Sequence, residues 1–393
     1  LNNNTPQILC NQQDSDSVAG FVDATFDVTD RFQIGAGFRY TRDEREWAGR
    51  TQITFDELDD NLVNGSLSTD DFSKPLEGGE FSRFPGRLIG NNSLAAYENL
   101  KRTWSEPSWR VTGSYQFSDE LFSYLTVSRG YKAGGYNDQT GSSGVMVPEL
   151  TRPVNPEFAT NYELGFKYEA PSRRWRINPT VFYTEYEDAQ RAVNIPVIKP
   201  DQTRNQETVF YNAAEVESKG VEIEFQALVT DNFRVRAQAA WLDAKYKSFS
   251  IVQPGLADPV SGAQVLPFQG DFSGLPVPRS PEKSGSIQAT YLVGLPRGSL
   301  DVSGEAARLL RVAPGAIAAL GREFDAYLDA KTLVNLSLTY RDDDDRFFVR
   351  AYGKNLTDKR YRIASQSVAD LWTHTQWGEP RAYGVEVGFN FGQ

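Results

Sequence analysis

Few residues of this chain have types that could do chemistry on their own. They are one histidine, one cysteine and a run of four aspartates. His374 lies between Trp372 and Trp377, where an imidazole could meet a metal or a metal chelate, or could simply sit in a loop. Cys10 is the single cysteine. It can form no disulfide within the chain, and both a bond to a cysteine upstream and a free thiol stay open. One cysteine and one histidine do not supply a zinc site. Asp342-Asp343-Asp344-Asp345 lacks the spaced Asp-x-Asp-x-Asp-Gly form of a calcium loop and reads as a solvated turn. There is no Gly-x-Ser-x-Gly elbow and no P-loop. The 52 carboxylates always contain some pair, so a pair suited to glycoside hydrolysis discriminates nothing. The sequence assigns no catalytic, cofactor or metal site and no individual ligand-binding residue.

What the chain does supply is a frame. Arg381 to Phe391 alternates Tyr383, Val385, Val387, Phe389 and Phe391 with Gly384, Glu386, Gly388 and Asn390. A period of two is a strand with one apolar and one polar face. The pattern recurs about a dozen times. Val18 to Thr29 and Phe32 to Tyr40 flank a turn at Thr29-Asp30-Arg31. Further hairpins turn at Ser118-Asp119-Glu120, Pro171-Ser172-Arg173, Thr230-Asp231-Asn232, Leu295-Pro296-Arg297-Gly298 and Asp342 to Asp345. Between hairpins lie long polar stretches, read as loops at 44–105, 133–157, 189–215, 248–283 and 355–380, with another at 1–17. Tight turns on one side and long loops on the other, joined by strands of about 10–15 residues, are the pattern of an outer-membrane barrel.

Composition agrees. Mean hydropathy is −0.49 and no run of about 18 apolar residues exists, so no membrane helix is expected. A transmembrane barrel has the same low hydropathy because half of each strand is polar. The 18 Tyr and 24 Phe suit interfacial girdles, with Tyr131, Tyr136, Phe158 and Tyr162 as expected anchors near strand ends. A net charge of −11 without a basic tract argues against nucleic acid as a partner. The register places Glu222, Glu224, Gln226, Arg234, Arg236 and Gln238 on the lumen side, since an Arg facing mid-membrane lipid costs about 2–4 kcal/mol. The fold class expected is all-β, an antiparallel transmembrane barrel portion of about thirteen strands. A soluble lipocalin-like barrel is the bland alternative.

Several stretches are more specific. Ser128-Arg129-Gly130-Tyr131-Lys132-Ala133-Gly134-Gly135-Tyr136-Asn137 resembles a segment of TonB-dependent outer-membrane receptors. So do Pro156-Glu157 with Asn161 to Lys167, Glu217-Ser218-Lys219-Gly220-Val221-Glu222, Gly353 to Tyr361, and Pro380 to Val385. The resemblance covers most of the chain and only the C-terminal part of that family's barrel. It implies a 22-stranded barrel plugged by an N-terminal globular domain. It also implies a periplasmic energy-coupling partner, TonB, that acts through an N-terminal box, and a scarce ligand, most often a ferric siderophore. Cobalamin, haem and glycans are the other ligands it implies, and a passive porin-like channel is the competing reading. Neither plug nor box is found in these residues. The outer loops are expected to carry the ligand surface.

Strand parity sharpens the expectation. The first and last strands both run from the long-loop side to the tight-turn side, so the count is odd, whereas single-chain bacterial barrels are even. An unpaired edge in lipid would leave backbone groups unsatisfied at several kcal/mol each. The reading therefore expects about nine strands and the plug ahead of Leu1, and misassembly of residues 1–393 expressed alone.

Overall fold

The computed structural model describes residues 7–53, 94–137, 153–198, 202, 204–257, 264–309, 328–368 and 372–390. The strands are β1 (Gln7–Asp27), β2 (Phe32–Ile53), β3 (Leu94–Gln116), β4 (Leu121–Lys132), β5 (Glu157–Glu169) and β6 (Trp175–Ile198). They continue with β7 (Arg204–Thr230), β8 (Phe233–Gln253), β9 (Leu256–Ala257), β10 (Gln264–Val265), β11 (Phe268–Asp271) and β12 (Lys283–Gly294). The last are β13 (Ser299–Leu309), β14 (Lys331–Arg341), β15 (Phe347–Lys354), β16 (Arg362–Val368), β17 (Trp372–Trp377) and β18 (Ala382–Phe389). No helix occurs among the described residues.

One antiparallel path, β1 to β8, then β12 to β15, then β18, forms a continuous wall. That path contains thirteen strands, the number expected from the alternation. Every strand pairs with the next strand of this path, and within each hairpin the tight turn leaves no room for another order. The predicted turns fall where the strands stop. Asp342 shows how one is built. Its carboxylate accepts from the Phe347 N–H at 2.9 Å and lies 3.4 Å from the Arg346 guanidinium, and the Phe347 bond holds its pKa below the usual carboxylate range. Arg346 also pairs with Asp344 at 2.7 Å. The aspartates close a hairpin.

Cross-strand partners share a face, so the two faces of the wall can be followed rung by rung. One rung runs Leu125, Leu164, Val181, Val221 and Trp241. Another ends the wall with Leu338, Ala351 and Val385. Among the described residues nothing covers this face: Val22 is 63% exposed and Val385 71%. An apolar surface spread over thirteen strands is far beyond what water tolerates on a monomer. It is the lipid face. The opposite face is polar and concave, with a groove lined by Gln288, Ser303, Glu305, Ser337, Arg350 and Glu386. Glu224 pairs with Gln238 and Gln226 with Arg236 on that side, as the register predicts.

Aromatic residues edge the apolar band. Near the tight turns Tyr115 meets Phe117 at 4.7 Å, Tyr168 meets Trp175 at 5.1 Å and Tyr340 meets Phe347 at 5.9 Å. At the other margin Tyr131 lies 6.4 Å from Phe158, and Tyr162 lies 6.2 Å from Tyr183. Such rings suit a membrane–water boundary. On the lumen face, aromatics rest on glycines of the next strand. Tyr124 lies over Gly165, Phe182 over Gly220, Tyr352 over Gly384 and Phe348 over Gly388, each a direct cross-strand pair. A Cβ at any of these glycines would overlap the ring.

The long connections depart from the sequence reading. β1 is already extended at Gln7, inside the stretch read as a loop. The arms of β2 and β3 reach Ile53 and Leu94, so 44–105 is largely strand where it is described, and 54–93 lies outside the described residues. The segment 189–215 is mostly the upper halves of β6 and β7. β8 runs to Gln253, and β9, β10 and β11 fall within 248–283. The hairpin β16–β17 occupies 355–380. β7 has 27 residues, which at about 3.3 Å each and a tilt of about 40° rises roughly 70 Å, against an apolar band about 25 Å tall. Strands thus leave the membrane and continue outside as a crown.

Candidate functional site

The crown begins at a bulge. In β6 the pairing slips between Tyr186 and Ala189, where Asp188 adopts φ 52°. An extra residue reverses which parity faces which side. Below it the odd-numbered Ile177 and Val181 face lipid. Above it the odd-numbered Val193, Ile195 and Val197 turn inward and are buried. They join Val209, Val216, Tyr246, Phe249, Ile251, Val265 and Phe272 in one apolar cluster. β10 pairs with β6, and β11 with β8, closing this cluster above the wall. Ser273 donates its hydroxyl to Asp271 at 2.6 Å, and bonds from Ser273 hold the Asp271 carboxyl low. Burial pushes the Tyr211 phenol up to about 12.

The Gly134-Gly135 pair locks a neighbouring part. A Cβ at Gly134 would strike the Trp104 indole and the Val154 carbonyl. Gly135 and Val154 exchange backbone bonds of 3.2 and 2.8 Å. Tyr136 stacks on Trp47 with centroids 6.0 Å apart. It is thus a crown contact and not the membrane anchor the sequence suggests. Tyr131 donates its hydroxyl to Asp43, while Arg129 lies 4.7 Å over Phe158. Asn155 and Asn212 bond reciprocally at 2.6 and 2.9 Å. Gln190 reaches the Ala133 and Asn155 carbonyls. The segments before and after 138–152 are therefore tied to β6 and β7. These stitches join residues far apart in sequence, and the two glycines were legible only as parts of the family resemblance.

The third part of the rim is held by Asn355, in the stretch Gly353 to Tyr361. Asn355 is buried with φ 48°. Its amide donates to the carbonyls of Lys359 and Glu379, and its side-chain oxygen accepts from the Lys359 N–H at 2.9 Å. That clamp closes the base of β16–β17. Lys331 lies 4.2 Å over the Tyr361 ring. His374 falls in β17 opposite Gln366, and Cys10 in β1 opposite Arg50. Among the described residues no group of three His, Cys, Asp or Glu is placed to hold a metal ion.

A wall with one face for lipid and one for water, carrying an ordered crown on its long-loop side, defines a transmembrane β-barrel of the outer-membrane type. The chain belongs to the TonB-dependent receptor-like β-barrel family, whose model matches residues 1–356. It lies in the bacterial outer membrane, and its family is one of receptors and transporters rather than enzymes. The pesticin receptor of Yersinia pestis is 25% identical over 213 residues, which are 53% of this chain and 23% of that protein. The ferric yersiniabactin uptake receptor FyuA from Yersinia pestis superposes with a TM-score of 0.68 at 18% identity, covering 97% of this chain and 46% of that one. The ferric-catecholate import receptor Fiu from E. coli K12, in its closed form, gives 0.62 at 15% identity, covering 96% and 45%. The chain thus spans under half the length of these structural relatives.

Proposed function

We propose that this chain is the wall and crown of a receptor that captures a ferric siderophore and imports it, energised by TonB through a segment ahead of Leu1. The observation that carries this reading is the crown itself. A passive pore needs no buried core outside the membrane, whereas a ligand surface gains from rigid support. The ligand surface is proposed on the crown connections within 44–105, 133–157, 189–215, 248–283 and 355–380. The siderophore-receptor neighbours support the ligand class. A plug domain and about nine further strands are proposed ahead of Leu1. β1 and β18 run in the same direction and share no pairing among the described residues, so this path alone has no antiparallel closure.

The test is uptake of radioactive iron by iron-starved cells, with and without the gene. Loss of uptake of one chelate class on deletion, restored by the gene only when the energising system is intact, is the expected result. Uptake that is unchanged by deletion, or that persists without energisation, contradicts the reading.

A further inference from the structure

At the outer margin of the lipid face, cations are matched on most strands. Arg129 pairs with Glu187 at 2.6 Å, and Lys219 with Glu217 at 2.9 Å. Lys219 and Lys245 also share Asp243, at 3.6 and 3.9 Å. The margin of β12 and β13 differs. Register puts Lys283, Gly285 and Ile287 on the lipid face of β12, with Gly285 opposite Arg308 and Ile287 opposite Ala306. Thr332 of β14 continues the Arg308 rung. These six residues line an open hollow of about 580 Å³. Lys283 and Arg308 stand at its upper end as diagonal neighbours. Two carboxylates lie near them. Glu282 is exposed, 3.7 Å from Lys283, and Asp243, diagonal to Lys283, is the one already shared by Lys219 and Lys245. Among the described residues Arg308 has no carboxylate within ion-pair distance.

Height fixes what these groups meet. β12 has 12 residues, which at about 3.3 Å each and a tilt of about 40° lift Lys283 roughly 28 Å above the tight turn, the top of an apolar band about 25 Å tall. Below the two cations, Gly285 and Ala306 leave space that larger side chains would fill. In a bilayer such a hollow is filled by an acyl chain, because an unfilled surface forfeits dispersion contacts. At headgroup height a guanidinium fork takes two phosphate oxygens at once, and an ammonium adds a second charge. The long-loop side is the outside of the cell, so the lipid there belongs to the outer leaflet. We propose that this hollow binds one phosphorylated glycolipid of that leaflet, of the lipid A kind: an acyl chain lies over Gly285 and Ala306, and a sugar phosphate is received by Arg308 and Lys283. The site goes beyond the receptor reading and depends only on the wall's place in the outer membrane.

The complete receptor, purified from outer membranes in mild detergent, is titrated with bis-phosphorylated lipid A and with the same lipid after dephosphorylation. Bound lipid is counted by native mass spectrometry. The unaltered protein should hold one lipid A most tightly and bind the dephosphorylated lipid about 30-fold more weakly. K283Q with R308Q should weaken lipid A binding by a similar factor, and R308K alone should retain most of it. Ala306→Trp, which fills the hollow, should remove the tight lipid while the heat-resistant barrel band persists. K219Q with K245Q, at cations already matched, should leave lipid binding unchanged. Equal binding of the two lipids by the unaltered protein overturns the site without recourse to any variant. So does unchanged lipid A affinity in the K283Q and R308Q protein. Phosphatidylglycerol bound as tightly as lipid A overturns it too, because the cations would then be a general anionic-lipid patch. A dimer that Ala306→Trp dissociates would give the hollow to a second copy of the chain and also overturn it.

Discussion

Ile223 and Ile195 belong to the same β6–β7 hairpin and face opposite fates. Ile223, in the wall, is 38% exposed, and Ile195, in the crown, is fully buried. The wall stabilises its apolar side chains with lipid, so it needs no core. The crown stands in water and must make its own. The bulge at Asp188 is where one rule gives way to the other. From Val229 to Lys219 β7 crosses eleven residues, roughly 28 Å of height at a tilt of about 40°, which matches the apolar band. Beyond Lys219 the strand continues because Val209, Ala214 and Val216 find partners on β6 and β8.

The comparison can be broken from either side. In the crown, Phe249→Ala should cost about 3–5 kcal/mol of local stability. Phe249 is fully buried and lies 4.8 Å from Tyr246 and 5.0 Å from Phe272. Protease on intact cells should then cut within 189–283 while the heat-resistant barrel band on gels persists. A barrel that disappears would mean that the crown and wall fold as one unit. In the wall, Leu125→Arg places a charge mid-band at a cost of about 2–4 kcal/mol. The barrel band should weaken, and the same change at Thr126, on the lumen face, should not weaken it.

Gly165→Val probes the ring straps. The new side chain would displace the Tyr124 ring, whose hydroxyl donates to Glu163 at 2.6 Å, and overpacking of this kind costs about 1–3 kcal/mol. Gly165→Val with Tyr124→Ala should recover part of the loss, and no recovery would show that the strap is incidental. The smallest effect concerns pH. Burial raises the Tyr211 pKa from 10.0 to about 12. The folded crown favours the neutral phenol, so this contribution is intact below about pH 10 and is lost as pH rises through about 12. Tyrosinate absorbance should show a late component near pH 12 that Tyr211→Phe removes, and an unchanged titration above pH 11 would contradict the burial.

The wall was legible in the sequence because lipid imposes one rule on every strand. Leu121 to Lys132, the turn at Pro171 to Arg173 and the thirteen strands could all be read from alternation and turn residues. The crown was not. Val193, Ile195 and Val197 also alternate, but Gln190, Arg191, Asn194 and Pro196 among them look like a loop. Their partners are a further strand and two short ones, β10 and β11, that no local pattern reveals. Asn355 and Gly134 were visible only as parts of a resemblance. Their work is a clamp and a close approach, and both depend on residues brought in by pairing. Tyr136 was misread because a ring near a strand end fits a membrane girdle and a stack on Trp47 equally well.

In β6 one side faces lipid up to the bulge, and above it the same parity turns into a buried core. Spin labels on single cysteines in a Cys10→Ser background, read in outer-membrane vesicles with oxygen and a water-soluble nickel complex, test it directly. Along β6, labels at 177 and 181 should meet oxygen, and labels at 178 and 180 should meet nickel. Labels at 193, 195 and 197 should meet neither. Oxygen access that keeps alternating through 193–197, or nickel access at 177 and 181, would contradict the account.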